Sequence, residues 1–327
     1  MTKYGLFSRG RDGQSSAPSG ASSSAQTSSS AVARDPLQDP TKKYPKPPFS
    51  KQSQPWPGLA AKMKPRPDHG EKSYKGSGRL QGRKALVTGG DSGMGRAAAI
   101  AFAREGADVA INYLPDEDED AREVIELIKA EGRVALAIPG DLREESFCER
   151  MVEEAVRGLG GLDILVNNAG RQQAAASILD ISSEEFDATM KTNVYAPFWT
   201  IKAALPHLKP GSTIIGTTSE QAYDPSPDLY DYAQTKAAIM NYTKSLAKQL
   251  GPKGIRVNAV APGPVWTPLQ VSGGATQGKL EHFGGQTPLG RPGQPAELGS
   301  IYVQLATGDA SFATGQIYGA AGGSGQP

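Results

Sequence analysis

The sequence predicts an α/β fold: a doubly wound, mostly parallel sheet of seven strands with helices on both faces, preceded by an extended N-terminal arm. Three observations carry this. From Arg79 onward, short apolar runs alternate with stretches of helical spacing. The apolar runs are continuous rather than alternating, as in strands buried on both faces. A glycine cluster also stands at the first junction between such a run and a helix.

The elements follow in order. Lys84–Thr88 is a buried strand ending in glycines, and Arg96–Glu105 a helix stopped by Gly106. Asp108–Tyr113 is the second strand. A helix from the acidic stretch at Asp116 to Glu131 follows, then a third strand at Val134–Ile138. Glu144–Gly158 is helical and Asp163–Asn167 is a strand. Glu184–Leu208 reads as one long helix, and Ser212–Gly216 as the fifth strand. Tyr230–Leu250 is helical, Ile255–Val260 is a strand, and Gly315–Tyr318 supplies the seventh. Residues 79–327 thus form a single domain.

Upstream the composition changes. Residues 1–34, rich in Ser, Ala, Gly and Gln, are expected to be disordered. Residues 35–78 are rich in Pro and Lys and are expected to form an extended arm, with Trp56, Leu59 and Met63 as its apolar anchors. Such an arm is either a solvated tail or a segment lying on a neighbouring subunit.

Bulk composition excludes several classes. The 327 residues hold 35 Lys plus Arg against 34 Asp plus Glu, a net charge of +1. That is unlike the basic footprint of a nucleic-acid-coating protein, so no nucleic-acid partner is expected. No run approaches the ~20 apolar residues of a membrane span, and the start lacks a secretory apolar stretch. A cytoplasmic protein without membrane contact is therefore expected. Cys148 is alone, which excludes an intrachain disulfide. His69, His207 and His282 lack ligand spacing, so no metal centre is expected.

Two motifs carry chemistry. In Thr88-Gly-Gly-Asp-Ser-Gly-Met-Gly95, the glycines Gly89, Gly93 and Gly95 permit a tight turn. Backbone N–H groups and the start of the following helix can then meet a pyrophosphate. This points to a dinucleotide held by Thr88, Gly89, Asp91, Ser92, Gly93, Met94 and Gly95. At the end of the second strand, Asn112-Tyr113-Leu114 bears neither the acid that binds both ribose hydroxyls nor the base that accepts a 2′-phosphate. Ser92 stands where an Arg would help a phosphate, and Asp116–Asp120 reads as a solvated helix start. The choice between NAD and NADP stays open.

The second motif is Tyr232-Ala-Gln-Thr-Lys236, which puts a phenol and an ammonium on one helical face. A phenol titrates near 10, too high for acid–base work at neutral pH, unless positive charge stabilises its phenolate. Ser219 after the fifth strand and Asn167-Asn-Ala-Gly170 after the fourth raise the weight of this otherwise common pair. Singly, Ser219 would be a cap, Asp141 a helix N-cap, Asn193 a helix-interior polar residue and Lys236 a solvated charge.

Together these residues, with Asn193 in Lys191-Thr-Asn-Val-Tyr195 and Pro262-Gly-Pro-Val-Trp-Thr267, resemble the short-chain dehydrogenase/reductase family, of Rossmann fold, from about Gly82 to Gly323. Tyr74-Lys-Gly-Ser-Gly78 and Asn112-Tyr-Leu-Pro115 narrow the resemblance to a bacterial subgroup with an N-terminal extension, the general stress or aldehyde-reductase-like oxidoreductases. The resemblance implies a hydride exchanged between NAD or NADP and a carbonyl or alcohol, on a small aldehyde, ketone, alcohol or sugar. Tyr232 would be the general acid or base. Lys236 would lower its proton affinity and hold the ribose, Ser219 would bind the substrate oxygen, and Asn193 would hold a relay water. Tyr113, Asp141 and Leu142, with Asn168, Ala169 and Gly170, would line the adenosine side. Pro262, Gly263, Val265 and Thr267 would place the carboxamide. A homotetramer or homodimer is implied, built on long helices and the last strand. Ala321 departs from the acidic residue common at its position, which bears on a local turn. The competing reading is a catalytically weak NAD(P)-binding sensor or scaffold. Segment 264–290, with Trp266, Leu269, Val271, Leu280 and Phe283 among glycines, is a candidate flexible cover over the substrate, flanked by Tyr223 and Pro225. His282 is expected at the surface.

Overall fold

The computed structural model describes residues 37–324, so the expected disorder of residues 1–34 lies outside the described residues. From Asp39 onward the chain forms one unit. Its elements are β1 (Lys84–Thr88), α1 (Gly93–Arg104), β2 (Asp108–Tyr113), α2 (Asp118–Ala130), β3 (Ala135–Pro139), α3 (Glu145–Leu159), β4 (Ile164–Asn167), α4 (Ser183–Met190), α5 (Ala196–Ala204), β5 (Thr213–Thr217), α6 (Tyr230–Leu250), β6 (Arg256–Pro262), α7 (Gln277–Glu281), α8 (Ala296–Ala306) and β7 (Ile317–Ala320). The seven strands lie in the order β3-β2-β1-β4-β5-β6-β7. Every pairing is parallel.

The continuous apolar strands have the reason expected of them: both faces are covered. On one face Phe102, Val124, Ile128 and Tyr302 pack on Val87, Val109 and Ile111. On the other, Met151, Val152, Ile201 and Leu250 pack on Leu86, Leu165 and Ile214. The chain runs outward from β1 to β3, then returns to place β4 on the other side of β1. Crossovers diverge at that reversal, leaving a crevice beyond the carboxyl ends of β1 and β4.

Two expectations need correction. The single helix read over Glu184–Leu208 is interrupted: α4 and α5 are joined by a wider π turn at Lys191–Tyr195, where the Ala196 N–H bonds the Lys191 carbonyl five residues back. Pro197 is the physical reason. It has no N–H, so the Asn193 carbonyl lacks the donor an α-helix would supply four residues on. The acidic stretch is not a solvated helix start either. Pro115–Glu117 forms a separate tight turn, and Asp120 is fully buried.

Residues 39–78 lie against the rest of this unit. Of the three expected anchors Leu59 and Met63 are buried but Trp56 is only half-buried, and Phe49, Ala60 and His69 join the buried set. The amides of Ala60 and Ala61 donate to the Asp120 carboxylate, the latter at 3.1 Å. That charge, unpaired in the sequence, is there to cap the arm. Fully buried Arg96 ties the same region together through Glu71 at 2.9 Å and Glu123 at 3.0 Å.

Candidate active site

The glycine turn is forced by close approach. A Cβ on Gly95 would stand 1.9 Å from the Gly89 carbonyl oxygen, and one on Gly89 2.9 Å from the Ala169 Cα. Gly93 opens α1 with φ +54°, a backbone region that favours glycine. Asn168 locks the turn to β4: its Nδ2 donates to the Gly89 carbonyl at 3.1 Å, and its N–H to the Thr88 hydroxyl at 3.0 Å. Ser92, the residue before α1, makes no side-chain cap, so the first N–H groups of the helix are left free for a ligand. Residues of this turn, Asn168–Gly170 and the Pro262–Thr267 segment line one crevice.

Tyr232 and Lys236 line the same crevice from the first turns of α6, as do Thr217, Thr218 and Ser219 at the end of β5. The Lys236 Nζ donates to the Thr217 carbonyl at 2.8 Å and lies 5.2 Å from the centre of the Tyr232 ring. Ser219 does cap the short turn behind it, accepting from the Gln221 N–H at 3.2 Å, and still faces the crevice. Asn193 sits one layer deeper, fully buried. Its side chain accepts from the Arg171 N–H at 2.8 Å and donates to the Thr235 hydroxyl at 3.0 Å. The π turn therefore fixes Asn193 against the α6 turn that carries Tyr232 and Lys236.

Electrostatics here run against the simplest expectation. Burial pushes the Tyr232 phenol above its ordinary 10, although the Ser219 hydroxyl pulls the other way. Burial also pulls Lys236 down to about 7. The pair by itself does not yield a phenolate. Lowering the phenol takes added positive charge in the crevice, such as an oxidised nicotinamide ring carries. Glu220, next to Ser219, is pushed up to about 7 by burial.

The remaining expected residues also come together. Tyr113, Asp141 and Leu142 line the crevice near the end of β2. Asp141 is not an N-cap; α3 begins after Glu144, and the Asp141 carboxylate instead holds Arg143 at 2.6 Å. Glu117, read from the sequence as part of a solvated helix start, instead lines the crevice and feels the Asp91 charge. Burial pushes both carboxyls up, helped by the Asp120 charge at Asp91 and by the Asp91 charge at Glu117.

The candidate cover is only half as expected. Leu269 and Phe283 line the crevice, but Trp266, Val271 and Leu280 turn away and are buried with Phe49 and Met63. His282 is exposed, as the sequence suggested. Sequence reasoning missed Gln172, whose Nε2 donates to the Gly274 carbonyl at 2.6 Å and ties the cover to the segment after β4. No sequence pattern marks it, because its partner lies 102 residues away. Among the described residues no cluster of metal-ligating side chains occurs, and no helix is long and apolar enough to cross a membrane.

The chain has similar proteins. Residues 89–324 match the family described as Enoyl-(Acyl carrier protein) reductase. The uncharacterized oxidoreductase YghA of Escherichia coli (strain K12) is 58% identical over 88% of this chain and 98% of its own. That alignment is too long to be confined to residues 79–327 and reaches into the arm. The glucose and ribitol dehydrogenase of Daucus carota is 43% identical over 83% of this chain and 94% of its own. Among solved structures, a short-chain dehydrogenase from Burkholderia cenocepacia J2315 in complex with NADP superposes with a TM-score of 0.70 at 36% identity, over 75% of this chain and 98% of that one. With sheet order, glycine turn and sequence likeness in agreement, the chain belongs to the short-chain dehydrogenase/reductase family of oxidoreductases.

Proposed function

We propose that the protein is an NAD- or NADP-dependent oxidoreductase that interconverts a carbonyl and an alcohol, with Tyr232 as the general acid and base. One observation carries this reading. Tyr232 and Lys236 project from one face of α6 into the crevice whose other end is the glycine turn at the sheet's reversal point. The fit to a dinucleotide rests on the tight turn that Gly89 and Gly95 allow, where any Cβ would meet neighbouring backbone, and on the uncapped start of α1. When bound there, the dinucleotide supplies or accepts the hydride at its nicotinamide ring.

The chain's own residues do the rest. Ser219 donates a hydrogen bond to the substrate oxygen and holds it against Tyr232, where negative charge grows as the carbonyl is reduced. Tyr232 hands its phenolic proton to that oxygen, and takes it back in the oxidative direction. Lys236, which burial pulls down to about 7, adds positive charge beside Tyr232 only in its protonated form, so it stabilises a phenolate together with the charge of an oxidised nicotinamide rather than alone. Asn193 holds Thr235 and the segment after β4 in register and is the residue that would hold a relay water toward Lys236. Glu220, Gln221, Ser226 and Asp228 make the crevice around Tyr232 polar, which favours small substrates bearing hydroxyl groups, aldehydes and sugars among them. That agrees with the printed name of the carrot relative. Exposed Tyr195 and Phe198 near the start of α5 are suited to pairing of copies into a homodimer or homotetramer.

The test is a turnover screen of aldehydes, ketones, alcohols and sugars with NAD, NADP and their reduced forms. Hydride exchange with at least one carbonyl/alcohol pair is expected. Tight dinucleotide binding with no turnover would favour a sensor or scaffold instead.

A further inference from the structure

Between Phe49 and Pro65 the arm is bonded to the cover. The Phe49 N–H donates to the Glu281 carbonyl at 2.8 Å, and the Gln54 N–H to the Val271 carbonyl at 2.9 Å. In return the Gln277 Nε2 donates to the Gln52 carbonyl at 2.9 Å, and the Trp266 Nε1 to the Pro65 carbonyl at 2.8 Å. The Phe49 and Trp266 rings stack with centres 4.4 Å apart. Gly58 passes so close to the cover that a Cβ there would lie 3.1 Å from that of Ser272. Downstream, the arm is anchored on Asp120.

Between these anchors one stretch does something else. Trp56 and Pro57 are only half-buried, and both line the crevice. The Trp56 ring stands 5.4 Å from the Arg171 guanidinium, a cation–π contact that orients it. A segment serving only as a strap has no reason to spend its largest aromatic there, since Phe49 and Met63 already fill the buried sites.

We infer that the N-terminal arm is a built part of the active site: it holds residues 265–283 closed over the crevice and supplies Trp56 as the substrate wall opposite Tyr232. This rests on the oxidoreductase reading above. The cover is therefore pre-closed by the arm rather than closed by the substrate alone, and the size accepted beyond the reacting carbon is set in part by a residue far outside the glycine and Tyr232–Lys236 motifs.

Three full-length variants test this: Trp56→Ala, Trp56→Phe and Phe49→Ala. Trp56→Ala removes the wall but keeps every anchor. It is expected to raise KM for the preferred carbonyl substrate about tenfold, with a much smaller change in kcat and in dinucleotide Kd, and to relax the size limit. Trp56→Phe is expected to recover most of that loss. Phe49→Ala removes the stack on Trp266 and is expected to speed amide hydrogen exchange across 265–283. An unchanged KM in Trp56→Ala, or unchanged exchange in Phe49→Ala, overturns the inference. A wild-type chain that binds dinucleotide but turns over no carbonyl or alcohol overturns the function proposed above instead, and the exchange comparison still decides the arm's role.

Discussion

At one end of the crevice a tight glycine turn is held by neighbouring backbone: β1 leads into it, α1 leaves it, and Asn168 at the end of β4 clamps it. At the other end, Trp56 from the arm, Gln172 from the segment after β4 and the 264–285 segment meet across more than 100 residues of sequence. The first end is shaped for an invariant group, a pyrophosphate. The second is assembled from long-range side-chain contacts that can change without disturbing the sheet. The difference implies that damage at the glycine end removes binding and chemistry together, whereas damage at the arm end changes which substrate is accepted.

The largest expected effect is therefore at the glycine turn. Gly95→Ala places a Cβ 1.9 Å from the Gly89 carbonyl, a backbone contact that no side-chain rotation relieves. It should destabilise the fold by about 3 kcal/mol and abolish dinucleotide binding, as read by chemical denaturation and by fluorescence titration. A variant that binds dinucleotide normally would break the contrast. A smaller effect is expected at the arm's anchor. Asp120→Ala leaves the Ala60 and Ala61 amides without their acceptor and should cost about 2 kcal/mol, with dinucleotide Kd preserved.

The smallest effect depends on pH. Lys236 has a folded value of about 7 against its ordinary 10.5, because burial disfavours the charged form. Between those values the unfolded chain holds a proton that the folded chain has released, so this group makes stability rise with pH across that window. Lys236→Met removes the penalty. It should raise the melting temperature by about 2–4 °C at pH 7, with the advantage shrinking toward pH 10. A gap that widens with pH would show that Lys236 is not held neutral by burial.

The same contrast explains what was legible in the sequence. Strand alternation, the glycine turn and the Tyr232–Lys236 spacing are local patterns dictated by backbone geometry, and the structure places them as those patterns imply. The π turn at Asn193 was hidden because a single missing N–H, at Pro197, causes it within an otherwise regular helical pattern. Trp266 was misassigned to the crevice because its true neighbour, Phe49, lies in a Pro- and Lys-rich segment with no periodicity. The burial of Asp120 was likewise invisible: an acidic run looks solvated until the two amides it caps are known. Nothing in the sequence marks Glu117 or Glu220 as buried in the crevice, yet burial pushes both upward.

The central claim is that Tyr232 moves the proton while the glycine turn holds the dinucleotide. Its most direct test is Tyr232→Phe, measured for single-turnover hydride transfer and for dinucleotide Kd in the same preparation. The ring is kept and only the hydroxyl is lost, so Kd should hold within about twofold while transfer falls by roughly 10²–10⁴. Hydride transfer at the wild-type rate in that variant would contradict the account.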